Sequence, residues 1–413
     1  MNKKLIAIFL LFVSPLYSIA QNRNLDYFIT TSLNNNPQLY EYQNQILSNR
    51  IDSQLIVAGN RIQVSGIGNT YYSPVMNGFG YDEVITNGQQ FLALVSASKQ
   101  INNRKNLNIQ FQNLQLQRDS LQVSSKITTQ DIKKSIISQY ILAYGDQLQI
   151  GVTNEVIRLL SDEETILKKL TENNVYRQAD YLSFLVTLQQ QQLIRSQFLV
   201  QYKNDYATLN FLAGIIDTTT ASLTPPEITL GRNVTNDNTP FFLKYKIDSL
   251  RLTNQKSAVS VGYRPKVNLF ADAGYQSSFT ITPYKNFGTN VGISLSIPIY
   301  DGHQKQLQYS RLDIEERTRQ RKKDYFTTQL TQQIYQLQQQ LFELEKLSGP
   351  INKQIEYLET LIGVNGKLLE TGDIKITDYV FSINNYISSR NLVVQNMEAR
   401  YQIMNQLNYW NTN

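Results

Sequence analysis

The sequence predicts a mainly α-helical chain that carries a membrane β-strand element: very long coiled-coil helices, four β-strands and two structural repeats. Three observations lead there. An apolar heptad row runs through the second half, two segments of nine to eleven residues alternate apolar with small or polar side chains, and a self-similarity returns at an offset near 198 residues. Of the 413 residues, 41% are hydrophobic, 17% are charged and 42 are Gln, a balance too apolar for disorder and too polar for a bundle of membrane helices.

Two absences remove whole classes of chemistry. With no Cys there is no thiol nucleophile, disulfide, Cys-ligated metal or N-terminal lipid on Cys. The single His, His303, rules out a multi-His metal site and leaves a Ser/His/Asp triad only one residue to use. No catalytic group, cofactor or metal is therefore expected. The formal charge of +6 is mild. The most basic stretch, Arg311 to Lys323, also holds Asp313, Glu315 and Glu316, so it reads as a solvated helix face rather than a nucleic-acid contact.

Residues 1–20 read as a secretory signal: Lys3 and Lys4, an apolar run from Leu5 to Val13 too short to span a bilayer, then Ser18-Ile19-Ala20 with small residues where a signal peptidase cuts. The first repeat is expected over 21–216, with strands at about 61–73 and 90–99 and long helices at about 104–172 and 179–213. A linker rich in Thr, Pro and Asn follows at 217–239, where Pro225-Pro226 forbids a helix. The second repeat covers 240–413, with strands at about 266–276 and 287–298 and helices at about 303–371 and 377–408.

The strands are clearest in the second half. Val267, Leu269, Ala271, Ala273 and Tyr275 alternate with Asn268, Asp272 and Gly274, Phe270 being the exception, and Phe287 to Ile297 alternates without a break. A transmembrane β-strand has that length and period, and so does a half-buried soluble hairpin. Four strands are too few to close a membrane barrel, and lipid tolerates no open edge, so membrane strands here require several chains to share one barrel. Tyr71, Tyr72, Tyr275, Phe279, Tyr284 and Phe287 flank the two strand-joining loops, where they form either an interface girdle or ordinary strand packing.

In the helices, Leu330, Leu337, Leu344, Ile351 and Leu358 recur every seven residues beside Ile334, Leu341, Ile355 and Ile362, with Ser348 the one polar member. The row keeps phase across Pro350, which implies a kink rather than a stop. At 1.5 Å per residue, the stretch from His303 to Glu370 would extend about 100 Å, a reach suited to crossing a wide aqueous compartment.

Several segments resemble the TolC family of outer-membrane efflux proteins, the outer membrane factors, in order along essentially the whole mature chain. Asn24-Leu25-Asp26 through Ser32 to Leu39 resembles the family's opening helix and its Asn-Pro turn, and Leu209 to Gly214 its helix ending before the linker. Ser294 to Gly302 is similar to its strand ending, and Asn174 to Asp180 with Gly372 to Asp378 to its helix-to-helix tips. Asn174 stands where the family has the first tip Gly, and His303 where it has a second Gly after Asp301. The resemblance implies a homotrimer whose four strands per chain close a twelve-stranded barrel in the outer membrane, continued by an α-barrel through the periplasm. It implies an exit duct, not an enzyme, for a tripartite efflux or type I secretion system, with passive export. Outer-membrane lipid, a periplasmic adaptor (membrane fusion) protein and an inner-membrane pump would be its partners.

Candidate site residues follow. Asp180 and Asp378 are periplasmic gate candidates, set against a plainer role at helix N-termini. Asn174, Arg177, Gly372 and Lys375 belong to the tip turns, while Asp301 and Gly302 form a strand-to-helix turn whose Asp-Gly supplies a positive φ rather than a catalytic site at His303. Gly363 to Leu368 only echoes a phosphate loop, since no Ser or Thr follows Lys367. A secreted coiled-coil structural or adhesive protein with a small soluble strand tip is the competing reading.

Overall fold

A computed structural model of the chain describes residues 23–82, 84, 88–101, 104–217, 219–231, 239–278 and 283–411. The expected signal segment and Phe279 lie outside the described residues. In chain order the elements are α1 (Leu25–Asn35), α2 (Pro37–Gly59), β1 (Gln63–Tyr72), β2 (Gln89–Ile101), α3 (Arg104–Glu172), α4 (Gln178–Ala213), α5 (Pro240–Gly262), β3 (Lys266–Ser277), a short 3-10 turn (Pro283–Lys285), β4 (Phe287–Ser296), α6 (Gln304–Thr371) and α7 (Ile376–Trp410). They form two compact units. Among the described residues, one unit takes those within 23–36, 132–231 and 337–409, and the other those within 37–131, 239–336 and 410–411.

The strand-bearing unit holds an antiparallel sheet in the order β1-β2-β3-β4. Its strand ends differ from the sequence expectation for local reasons. β1 begins at Gln63 because the Arg61 amide still bonds to Ala58 at the end of α2. β4 stops at Ser296, before Pro298, which has no amide to donate. β2 is longer, because Gln89 and Gln90 pair with Tyr72 and Tyr71 while Gln100 and Ile101 pair with Asn268 and Val267.

Register assigns the faces, since residues directly opposite share a side. Val64, Ala97, Ala271 and Val291 form one cross-strand row, and Ser65, Ser96, Asp272 and Asn290 the next. One face is thus apolar across all four strands and the other mostly small and polar. Phe270, the break in the alternation, stands on the polar face opposite Gly292, whose missing side chain its ring fills. The aromatic grouping needs a correction: Tyr72, Tyr275 and Phe287 share the apolar face, but Tyr71 lies on the other, because neighbours in a strand point to opposite sides. Tyr275 and Phe287 meet edge to face, their ring centres 5.3 Å apart.

In the helical unit, α1 is capped by the Asn24 side chain, which accepts from the Tyr27 amide at 3.0 Å. It ends at Asn36, held extended by the proline that follows. Its Phe28, fully buried, packs edge to face on Tyr140 and Tyr206 beside Leu209 and Ala213. Asn35 donates to the carbonyls of Ala213 and Gly214, the latter a left-handed cap of α4. Two of the segments that carry the family resemblance are therefore in contact. The linker is no loose tether: Leu223 is buried, the Gln147 amide group bonds both its N–H and its C=O, and Tyr140 and Tyr202 donate to Thr224 and Ala221.

The heptad row of α6 is buried at Leu337, Leu341, Ile355, Leu358 and Ile362. Ser348, its polar member, donates to Asn396 of α7, which in turn donates to the Leu344 carbonyl. Pro350 lies inside α6 rather than ending it. The Gly363 to Leu368 stretch is helical, with Asn365 donating to Ser382, and no phosphate loop exists there.

Three carboxyls from α3, α4 and α7 converge in this unit: Asp146, Asp205 and Glu398. A side chain at Gly145 would fall on the Glu398 carboxylate, so glycine is what admits it. Gln139 and Gln201 hold Asp205 at 3.0 and 2.7 Å. Burial first, then the hydrogen bond with Asp205, pushes Asp146 up to about 8, and burial also raises Glu398. Because the folded chain keeps a proton that the unfolded chain releases near pH 4, stability is lost as pH rises from about 4 to about 8. The thermal midpoint of this unit should fall across that range, and Asp146→Asn should flatten the decline; an equally steep decline in the variant would contradict the shared proton.

Candidate functional site

The two helix-to-helix turns are built the same way. After α3, the amide of Asn174 bonds to Thr171 and that of Val175 to Leu170; after α6, Gly372 bonds to Leu369 and Asp373 to Leu368. Each is the two-bond left-handed ending of a helix, and the bonded positions coincide at the 198-residue offset. The left-handed residues are Asn174 (φ 61°) and Gly372 (φ 79°). Asn is among the few side chains that tolerate that region, so it replaces Gly at modest cost.

The following helices also start alike. Asp180 and Tyr181 donate their amides to the Arg177 carbonyl, and Asp378 and Tyr379 theirs to Lys375. Both aspartates are the third residue of their helix, in the first turn, where a carboxylate complements the dipole. Neither is the cap residue itself; Arg177 holds the cap position of α4 and makes no side-chain cap bond. A cation at each helix start adds to the positive end of the dipole, an unfavourable placement of the kind found at functional surfaces.

One side chain ties the turns together. The Tyr176 hydroxyl lies 2.8 Å from the Leu369 carbonyl and 2.9 Å from that of Ile374, so it adds a donor to a helix end that the Gly372 amide already serves at Leu369, and reaches the following turn as well. Val175 packs on Gly372. Beneath the turns, Leu167, Phe184, Leu369, Ile376, Tyr379 and Ile383 form a buried cluster. Burial, then Glu370 and Asp162, raises Glu163 to about 6. Sequence reasoning passed over Tyr176; its signal was an aromatic inside a turn of polar residues, where the equivalent position of the other turn is Ile374.

In the strand-bearing unit, Asp301 accepts from the Lys305 amide at 2.8 Å, which caps α6 and, with the Tyr263 hydroxyl, holds its carboxyl below the usual range. Gly302 (φ 63°) and His303 (φ 68°) are both left-handed. The need for that conformation at two successive positions explains the Gly-Gly of the resembled family, and His is among the side chains best able to substitute. The geometry is that of a turn, with no nucleophile around His303 in the contacts of the described residues. Among the described residues no group of three metal-ligating side chains occurs.

Replacing Tyr176 by Phe removes the donor but keeps the ring, and should cost about 1–3 kcal/mol of helical-unit stability in denaturant unfolding. A variant with unchanged stability would mean that water serves those carbonyls equally well.

No protein-family model and no curated protein matches the sequence. Solved structures do match it. The outer membrane protein VceC of Vibrio cholerae aligns with 94% of this chain and 96% of its own at 12% identity and a TM-score of 0.75. The CmeC outer membrane channel of Campylobacter jejuni aligns with 94% and 86% of the two chains at 10% identity and a TM-score of 0.70. The open state of the MtrE outer membrane channel of Neisseria gonorrhoeae aligns with 94% and 88% at 11% identity and a TM-score of 0.69. The chain has the fold of these outer-membrane channel proteins, the fold that its resemblance to the TolC family implied.

Proposed function

We propose that the chain is a TolC-family outer membrane factor: the passive exit duct of a tripartite efflux or type I secretion system, placed in the outer membrane and extending into the periplasm. The observation that carries this reading is the sheet. On β4, Val291, Ile293 and Leu295 are 85%, 71% and 61% exposed, although each would gain about 1.5–3 kcal/mol from leaving water. Lipid against that face accounts for it. β1 and β4 each have one side without a strand partner, and a membrane allows neither edge to stay open, so homotrimeric closure into a twelve-stranded barrel completes them. The row through Asp272 and Asn290 then lines a wet lumen.

The turns at Asn174 to Arg177 and Gly372 to Lys375 are the surface offered to a periplasmic adaptor, which links the duct to an inner-membrane pump. Asp378 is exposed and makes no side-chain bond among the described residues, and three copies about one axis would act as a cation-selecting ring. Carboxylates about 6 Å apart repel by roughly 3 kcal/mol per pair at an effective dielectric near 20. Asp180 is the second gate candidate, half-buried at the start of α4. Nothing in this assembly requires a cofactor, a nucleic acid or catalytic chemistry.

The faces give the test. Ile293→Asp should destabilise the detergent-extracted trimer by up to about 3 kcal/mol, while Ser294→Asp, on the polar face, should be tolerated. Equal effects would remove the membrane-strand reading in favour of a secreted adhesive protein, which would also need no detergent. For the gate, Asp378→Ala should lower cation preference in planar-bilayer recordings; unchanged selectivity with an intact trimer would leave the aspartates as helix-dipole residues.

A further inference from the structure

The four passages between strand and helix carry a concentration of cations. Arg61 precedes β1; Lys99 lies near the end of β2, and Arg104 with Lys105 opens α3. Arg264 and Lys266 lead into β3, and Lys305 sits in the first turn of α6. Against these stands one carboxylate, Asp301, although the chain as a whole holds 39 Lys and Arg against 33 Asp and Glu. The excess is local to this end of the sheet. At the opposite strand ends, Lys285 and Asp82 are the charged residues among those described.

Asp301 does not neutralise the cluster, because its carboxylate caps α6 through the Lys305 amide and takes the Tyr263 hydroxyl. The ion pairs of this unit lie elsewhere, on α5 and α6: Arg251–Asp248, Lys256–Asp313, Arg311–Glu315 and Arg319–Glu316. Arg61, Lys99 and Arg104 are exposed with no carboxylate partner among the described residues. α3 also begins without an acidic residue in its first turn, so the charge of Arg104 adds to the helix dipole instead of opposing it.

The position of Lys99 separates this from a general basic surface. Register sets it opposite Leu269, which is itself opposite Ile293, so it is the one charged side chain on the apolar face of the described strands. A lysine on an apolar face can keep its aliphatic stem on that face while its ammonium reaches the polar boundary. Exposed apolar groups lie at and beyond the same strand ends: Ile62 before β1, Ile101 at the end of β2, and Ile299 with Tyr300 past the end of β4. Cations interleaved with apolar and aromatic anchors match the boundary where acyl chains meet headgroups.

We propose that the helix-side rim of the sheet is a binding belt for anionic glycerophospholipid headgroups, with Lys99, Arg61 and Arg104 on the phosphate and Ile62, Ile101 and Tyr300 in the acyl boundary. Lys266, opposite Ser296 on the polar face, is not part of it. The proposal rests on the barrel reading and adds to it a lipid preference and the residues that set it.

The test reconstitutes the mature protein into nanodiscs of phosphatidylcholine alone, and of phosphatidylcholine with an equal amount of phosphatidylglycerol, and counts retained lipids by native mass spectrometry. Wild type should retain phosphatidylglycerol over phosphatidylcholine, and Lys99→Gln and Arg61→Gln should each lower that preference by about fivefold. Lys322→Gln, on an exposed stretch of α6, should leave it unchanged. Equal retention of the two lipids, or a preference untouched by the rim variants, overturns the belt while leaving the barrel in place. Failure to insert into either bilayer overturns the barrel reading and the belt with it.

Discussion

A four-stranded antiparallel sheet has two edges, and their unpaired amides and carbonyls are the constraint on which the rest of this chain depends. In water those groups would be solvated; in hydrocarbon each costs several kcal/mol. On the proposed reading, lipid covers the apolar face that runs across all four strands, and in lipid the two edges require strands of other copies. The polar face then has to enclose something wet. Under that proposal, an outward apolar face and paired edges account together for the alternation and for the small residues of the polar face.

The helices answer a different requirement. α3 and α6, 69 and 68 residues long, bury apolar rows along their length, and tertiary packing of such rows supplies most helical stability in proteins. Where the helices turn back, the chain uses two left-handed endings with equivalent backbone bonds but different side chains, and places Tyr176 where the other turn has Ile374. That single hydroxyl serves carbonyls of the opposite turn.

Much of this was legible in the sequence, for physical reasons. Heptads and alternation are periodic, so α6, β3 and β4 were readable directly, and Pro298 and Pro37 mark real ends. β1 was obscured because glycines occupy its apolar face and Ile67 sits on the other, so hydropathy alone blurs it. Phe270 looked like an error until its register partner proved to be Gly292. Tyr71 and Tyr72 look alike in the sequence, and only the register shows that they point to opposite faces. The Asp146, Asp205 and Glu398 cluster was invisible, since its members come from three helices and no local spacing links them. The composition marks the linker and its lack of a helix but not its packing, in which Leu223 is buried and a glutamine side chain bonds its backbone.

The edge-pairing constraint can be measured directly, because the natural chain has no cysteine to interfere. Gly66→Cys on β1 would be combined, one at a time, with Thr289→Cys, Val291→Cys or Ile293→Cys on β4, all on the apolar face, and oxidised in intact membranes. A disulfide requires Cα atoms about 4.4–6.8 Å apart, and these edges lie at opposite sides of the sheet within one chain. The account predicts covalent dimers and trimers with nothing larger, for at least one pairing. Monomers alone across the series, or a ladder running beyond the trimer, would contradict it.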